Sequence, residues 1–192
     1  MMMTPLPEPE LVRAELRLLL LERAVTRGAF ILSSGATSSY YIDCREVTLS
    51  PDGLALVAQL IGQSLPPDIE AVGGPPRAAD PVAVGVCLWS GQAGHPHPLS
   101  AFMVRKEPKS HGRGKRIEGP VRAGMRVAIV EDAVTSGGSI LEAIETVEAE
   151  GLTVGAVRCI IDREAGGLDA LRARGYDARA LFTATELGLA DE

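Results

Sequence analysis

The chain is poor in cysteine, in lysine and in long apolar runs, and each shortage closes off a class of function. Its three cysteines, Cys44, Cys87 and Cys159, are an odd number at wide spacing with no CxxC pair. That pattern suits neither a disulfide framework nor a zinc site, so they read as reduced core thiols. The longest leucine stretch, Leu18 to Leu21, is bracketed by Arg17 and Glu22 and falls far short of the roughly 18 to 20 apolar residues that span a bilayer. The opening MMMTPLPEPE has neither the basic region nor the apolar core of a signal peptide. A cytoplasmic protein with no membrane partner is therefore expected. The formal charge of −6 argues against a general nucleic-acid surface, which needs a net basic face to displace counterions from phosphates. His95 and His97 sit among prolines and glycines with no carboxylate or cysteine at ligand spacing, and read as solvent-exposed rather than metal-binding.

Lysine is the most telling shortage. All three lysines, Lys106, Lys109 and Lys115, fall in one short stretch that also carries Arg105, His111, Arg113 and Arg116. A charge run is usually a solvated loop, but this chain is acidic and otherwise relies on arginine, so the clustering points to a site for anions.

At 192 residues the chain can bury one sizeable core, and one domain over 1–192 is expected. Within it, residues from about 1 to 65 form an opening region and residues from about 66 to 192 an α/β core. The spacing predicts an amphipathic helix from about Glu8 to Arg27, with Leu11 and Leu18 among its apolar positions and Gly28 ending it. Two extended runs, 29–32 and 39–44, flank a turn-rich SSGATS and read as a hairpin. Ser50 and Pro51 form an N-cap and first helical position for a helix to about Leu65. Apolar strands are then expected at 69–74, 99–104, 125–132, 152–162 and 178–183, with helices from about Arg77, from Gly138 to about Glu150 and from Leu168 to Arg174. Such alternation indicates an α/β fold with a mainly parallel central sheet flanked by helices. Ligands of such sheets bind beyond the carboxyl ends of the strands, which directs attention to the loops after residues 73, 104, 131 and 162.

The most specific segment is VAIVEDAVTSGGSI, Val127 to Ile140. An apolar strand runs into two adjacent acids, Glu131 and Asp132, and after Ala133 and Val134 into Thr135, Ser136, Gly137, Gly138 and Ser139 at a helix start. Backbone N–H groups at a helix amino terminus attract an anion, and glycine lets a phosphate approach them. Paired acids accept hydrogen bonds from two neighbouring hydroxyls, as in a ribose diol. A phosphate at one end and a diol at the other describe a ribose 5-phosphate. The loop fits neither GxxxxGK(S/T) nor GxGxxG, which disfavours a nucleoside triphosphate or a dinucleotide.

This segment resembles the phosphoribosyl pyrophosphate (PRPP) motif of the type I phosphoribosyltransferases. Met103 to Gly119, MVRKEPKSHGRGKRIEG, is similar to the catalytic loop of the orotate branch of that family, with Arg105, Lys106, Lys109 and His111 at the matching spacing. FILSSGATSSYYIDCR, Phe30 to Arg45, resembles the family's amino-terminal hood, and IDREAGG, Ile161 to Gly167, the segment whose arginine, here Arg163, meets the orotate carboxylate. LFTATEL matches the family's ending. The resemblance covers nearly the whole chain.

It implies the type I fold with a small hood formed largely by the N-terminal segment, and transfer of ribose 5-phosphate from PRPP to orotate in pyrimidine (UMP) biosynthesis. It implies PRPP bound by Arg105, Lys106, Lys109, His111 and residues 131–139, and leaving-group catalysis by Lys109 and His111 with Arg105 and Lys106. Orotate would contact Thr135, Arg163 and Tyr41. Mg2+ would be held mainly by substrate and water, with no dedicated protein metal site. A homodimer with shared active sites follows from the same resemblance. Taken on residues alone, a tyrosine in an apolar strand such as Tyr41 is more often core, and a surface ion pair with Asp162 or Glu164 is the lesser alternative for Arg163. Two positions depart from the family: Ser33 stands where a lysine is common, and the GGPPRAADP loop after Gly74 lacks a lysine that Arg77 can replace. Two other functions share part of the pattern, namely transfer to another base, such as a purine, and PRPP sensing without catalysis.

Overall fold

The computed structural model describes residues 8–31, 37–93, 97–107 and 116–189. Ser33, His95, Lys109, His111, Gly112, Arg113, Gly114 and Lys115 lie outside the described residues.

The chain opens with helix α1, Pro9–Leu19, which runs on as one π-helical turn, Leu20–Ala24. Pro9 at the first helical position has the fixed φ a helix start needs and no N–H to leave unpaired. The buried stripe is Val12, Leu16 and Leu20, each four residues on from the last, whereas Leu11 and Leu18 point outward. The helix ends at Ala24, not Arg27. Strand β1, Val25–Ile31, begins there and pairs antiparallel with β2, Thr37–Ile42. Gly28, expected to stop the helix, sits inside β1, where the register shifts between Arg27 and Phe30. A glycine within a strand commonly marks such a bulge. A short helix α2, Arg45–Thr48, follows and was not signalled by the sequence.

Helix α3, Pro51–Ser64, starts as expected, with the Ser50 hydroxyl accepting from the Gly53 N–H. Strand β3, Ala71–Gly73, and helix α4, Ala79–Gln92, come next. The run expected as one strand at 99–104 is divided: β4, Ser100–Ala101, joins β3 in parallel, while β5, Met103–Val104, pairs antiparallel with β6, Ile117–Glu118. Then follow β7, Arg126–Val134, α5, Gly138–Ala149, β8, Thr153–Asp162, α6, Gly167–Ala173, and β9, Ala178–Thr183.

Five strands form the central sheet in the order β4-β3-β7-β8-β9, and every pairing is parallel. Alternation along β7 shows why its sequence is almost wholly apolar. Ala128 and Val130 pack with Val57 and Ile61 of α3 and Val82 and Val86 of α4, while Val127 and Ile129 pack with Ile140 and Ile144 of α5 and Leu168 and Leu171 of α6. The opening region is fastened to the chain's far end by arginines. Arg13 lies over the Phe182 ring and pairs with Glu186, Arg17 donates to the Glu186 carbonyl, and Arg27 donates to that of Gly188.

Among the described residues two charge-bearing side chains are buried, Glu131 and Arg158. Arg158, on β8, spends all five guanidinium N–H groups on Ser64 Oγ and O, Val157 O, and Asp177 O and Oδ2. It ties the end of α3 to the segment before β9. Cys44 and Cys159 are buried free thiols that burial pushes to higher pKa, and Cys87 is a half-buried free thiol. Among the described residues no helix is long and apolar enough to cross a membrane.

Candidate active site

Because the sheet strands are parallel, their carboxyl ends share one edge, and a cleft of about 260 Å³ opens there. It is lined by Pro75, Pro76 and Ala78 after β3, by Val104 at the end of β5 with Arg105 and Lys106 after it, and by Arg116 before β6. Glu131, Asp132 and Ala133 of β7 and Ser139, Glu142 and Ala143 of α5 complete it. Thus Arg105, Lys106, Glu131, Asp132, Ala133 and Ser139, singled out from the sequence, share one cleft. The strand expected at 125–132, which held both acids, extends two residues further, to Val134. Both acids lie within it, with Glu131 paired to Cys159 and Val134 to Asp162 of β8.

Glu131 is buried, and its neighbours hold it from several sides. Its Oε1 accepts from the Asp132 N–H at 3.1 Å and its Oε2 from the Ser139 hydroxyl at 3.3 Å, while Asp132 Oδ1 accepts from the Ala133 N–H at 2.6 Å. Burial, then the adjacent Asp132 charge, raises the Glu131 carboxyl to about 8. Burial also raises Asp132, with Asp43 adding to the effect and Arg45 opposing it. Both acids are therefore primed to share protons until hydroxyl donors or a cation enter the cleft.

Beyond Val134, Thr135 and Ser136 are exposed, and Gly137 adopts a left-handed φ of 78° that caps α5. That turn leads into Gly138 and Ser139, whose N–H groups belong to the first helical turn, where backbone donors lack intrahelical acceptors. The β8–α6 turn packs onto this loop. The Gly167 N–H donates to the Thr135 carbonyl at 3.0 Å, and a Cβ on Gly167 would meet that oxygen at 2.4 Å, so no larger residue fits.

The cationic stems are held by residues the sequence reading passed over. Arg116, noted only as part of the basic run, donates to the carbonyls of Arg105 and Lys106 and pairs with Glu142 of α5. Arg105 itself pairs with Glu118 of β6 at 3.0 Å. The only signal for Arg116 was its place in that run.

Arg163, after β8, is not among the residues lining this cleft. Its N–H donates to the Val134 carbonyl at 2.9 Å. Its guanidinium lies over the Tyr40 ring, with Cζ 5.2 Å from the centroid. Asp162 and Glu164 are engaged elsewhere, on the Glu164 and Thr185 N–H groups, and among the described residues Arg163 forms no ion pair. Tyr41 is 44% exposed, with its ring 5.8 Å from that of Phe30. It is not among the residues lining the cleft. Arg77 is exposed with a left-handed φ of 80°, its N–H bonded to Asp80. His97 is exposed. Among the described residues no group of three or more His, Cys, Asp or Glu side chains is placed to hold a metal ion.

No family model matches the chain. The orotate phosphoribosyltransferase of Rhodopirellula baltica is 44% identical over 173 residues, which cover 86% of this chain and 89% of that protein. The crystal structure of Mycobacterium tuberculosis orotate phosphoribosyltransferase in complex with Fe(III) dicitrate superposes with a TM-score of 0.82 at 37% identity, over 93% of this chain and 99% of that one. The same enzyme in complex with PRPP gives a TM-score of 0.77 at 35% identity, with the same shares covered. Similarity of this depth over most of the chain shows that it belongs to the orotate phosphoribosyltransferase family.

Proposed function

We propose that the protein transfers ribose 5-phosphate from PRPP to orotate, giving orotidine 5′-monophosphate and pyrophosphate in the synthesis of UMP. The observation that carries this is one cleft holding an acid pair, Glu131 and Asp132, opposite a cation pair, Arg105 and Lys106, beside a helix amino terminus. A substrate with a diol, a diphosphate and a terminal phosphate meets a complementary group at each point. The similarity to an enzyme crystallised with PRPP supports the same assignment.

In this reading the 5-phosphate rests on residues 135–139 and the ribose hydroxyls on Glu131 and Asp132. Arg105, Lys106, Lys109 and His111 face the diphosphate, and Ala133 and Val134 contribute backbone. Orotate lies among Thr135, Arg163 and, from the β1–β2 hood, Tyr41. As the bond from the anomeric carbon to the diphosphate oxygen breaks, the orotate ring nitrogen bonds to that carbon. The transition state is cationic at the sugar and anionic at the departing group, so no protein nucleophile is needed. Fixed cations favour it because the leaving charge grows after binding. Lys109 and His111 stabilise or protonate the leaving diphosphate. The donor set suits a magnesium ion carried by substrate oxygens and water, with Glu131 or Asp132 the protein acids in reach. When bound, such an ion neutralises diphosphate charge.

A homodimer is supported by the outer face of α4. Val84 and Leu88 are 47% and 61% exposed, Cys87 and Pro81 lie beside them, and the exposed Leu49 and Met103 continue the surface. A helix that is apolar on every side belongs in an interior. Met103 leads directly into Arg105 and Lys106, so a second copy docked there lies next to the cationic stem, consistent with shared sites. Leu88→Glu is expected to shift the protein toward monomer in analytical ultracentrifugation. The free thiols fit a reducing cytoplasm.

The test of the activity is absorbance loss of orotate with PRPP and Mg2+, run beside uracil and hypoxanthine. Turnover of orotate alone supports the reading. Turnover of hypoxanthine in its place assigns another base, and PRPP binding without any turnover assigns a sensor.

A further inference from the structure

Arg163 is charged, half-buried and, among the described residues, without a carboxylate partner, although an acid stands on each side of it in the chain. Both acids are occupied by backbone donors: Asp162 Oδ1 accepts from the Glu164 N–H at 2.9 Å, and Glu164 Oε2 from the Thr185 N–H at 2.7 Å. Glu164 adopts a left-handed φ of 57°, an uncommon conformation for a side-chain-bearing residue, and these two bonds stabilise it. The turn thereby keeps both neighbouring acids off the arginine.

The guanidinium is met instead by an aromatic face, that of Tyr40 at 5.2 Å. Tyr40 is 4% exposed, its carbonyl accepts from the Ser38 hydroxyl at 2.9 Å, and it pairs across the hairpin with Arg27, itself bonded to the Gly188 carbonyl. The ring is thus a fixed surface. The chemistry of the two kinds of partner differs. An acid would neutralise the arginine and compete with an anionic substrate for its in-plane N–H donors. A ring face attracts the cation from above and leaves that donor edge for a carboxylate.

We infer that Tyr40 is a positioning residue for orotate: its ring sets the plane of the Arg163 guanidinium so that the donor edge is presented to the substrate carboxylate. This rests on the reading that Arg163 grips that carboxylate. Tyr40 does not touch the reacting atoms, so its effect falls on orotate binding and not on PRPP binding or the chemical step.

The experiment is steady-state kinetics with orotate and PRPP varied separately, on the full chain, for Tyr40→Leu, Tyr40→Phe, Arg163→Gln and the double variant Tyr40→Leu with Arg163→Gln, with a thermal midpoint for each. Tyr40→Leu is expected to raise the orotate KM on the order of threefold to tenfold, the range of a partly desolvated cation–π contact. Its PRPP KM and kcat stay at the parent values. Tyr40→Phe keeps the ring and restores the parent orotate KM. Arg163→Gln raises that KM further, and adding Tyr40→Leu to it changes nothing more. If Tyr40→Leu does not fold, Tyr40→Met removes the ring face at similar bulk and is read in the same way.

An unchanged orotate KM in Tyr40→Leu, with Arg163→Gln raising it, overturns the role of Tyr40 alone. Equal rises in both KM values, shared by Tyr40→Phe and accompanied by a lower thermal midpoint, leave Tyr40 as core packing and overturn it too. An unchanged orotate KM in Arg163→Gln removes the carboxylate contact itself, and the Tyr40 inference with it.

Discussion

The two halves of the proposed substrate site, one for the ribose phosphate and one for the base, are built in different ways. The ribose–phosphate half comes from one continuous segment, Glu131 to Ser139, in which strand, turn and helix start follow one another within β7 and α5. The base half is assembled from pieces far apart in the chain, with Arg163 after β8 and Tyr40 on β2. A local segment carries its geometry with it, because consecutive φ and ψ angles determine where its donors and acids point. An assembled half depends on packing, and here the joint is specific: Gly167 rests on Thr135, and the Arg163 N–H bonds to Val134.

That contrast can be tested by where damage appears. In the proposed mechanism Lys109 acts on the departing diphosphate rather than on either half, so turnover of Lys109→Ala is expected to fall roughly a hundredfold with little change in either KM, as for loss of one transition-state donor. An unchanged kcat in a steady-state assay would contradict the assignment. Asp132→Asn strikes the contiguous half, and the PRPP KM is expected to rise about tenfold, the scale of one hydrogen bond to a charged group. The orotate KM should stay near its parent value, and a parallel rise would erase the division between halves. Gly167→Ala strikes the joint. Its Cβ meets the Thr135 carbonyl at 2.4 Å, so both KM values should rise a few-fold, with stability lower by about 1–3 kcal/mol in urea titration. An effect on one substrate only would show that the joint does not couple them.

The smallest effect concerns pH. Glu131 titrates near 8 in the folded chain against an ordinary 4.5, because burial and Asp132 disfavour its charge. Between those values the folded form holds a proton that the unfolded form has released, so the contribution of Glu131 to stability is full below about 4.5 and is lost as pH rises through about 8. Asp132 is shifted in the same direction. Glu131→Gln cannot ionise and is expected to flatten the decline of the melting temperature across that window. A slope identical to the parent's would place the titration in other groups.

The same contrast explains what could be read in advance. Strand β7, the glycine turn and the start of α5 were legible because apolar alternation, paired acids and small residues all lie within Val127 to Ile140. The α3 start was legible from Ser50 and Pro51 alone. Elsewhere packing decided. Helix α1 buries Val12, Leu16 and Leu20 rather than Leu11 and Leu18, since the neighbouring α3 and the C-terminal turn select the face. Its passage through a π turn into β1 left no composition signal, and Gly28 became part of a bulge. In the hairpin a single step along β2 separates Tyr40, which meets Arg163, from Tyr41, which packs on Phe30. Side chains alternate across a strand, so without the register neither tyrosine could be preferred. Arg116 was hidden for a similar reason: its value lies in bonding the carbonyls of Arg105 and Lys106 across the β5–β6 ladder.

The acid pair occupies the middle strand, with β3 bonded along one side of β7 and β8 along the other. Its amides are therefore among those that open only when the whole sheet comes apart. In the proposed reading substrate arriving at Glu131 and Asp132 meets the sheet's middle strand, while Tyr40 belongs to a separate two-stranded ribbon. In hydrogen–deuterium exchange the sugar's docking ground would stay silent for the longest time, and the ribbon would register each visit of the base.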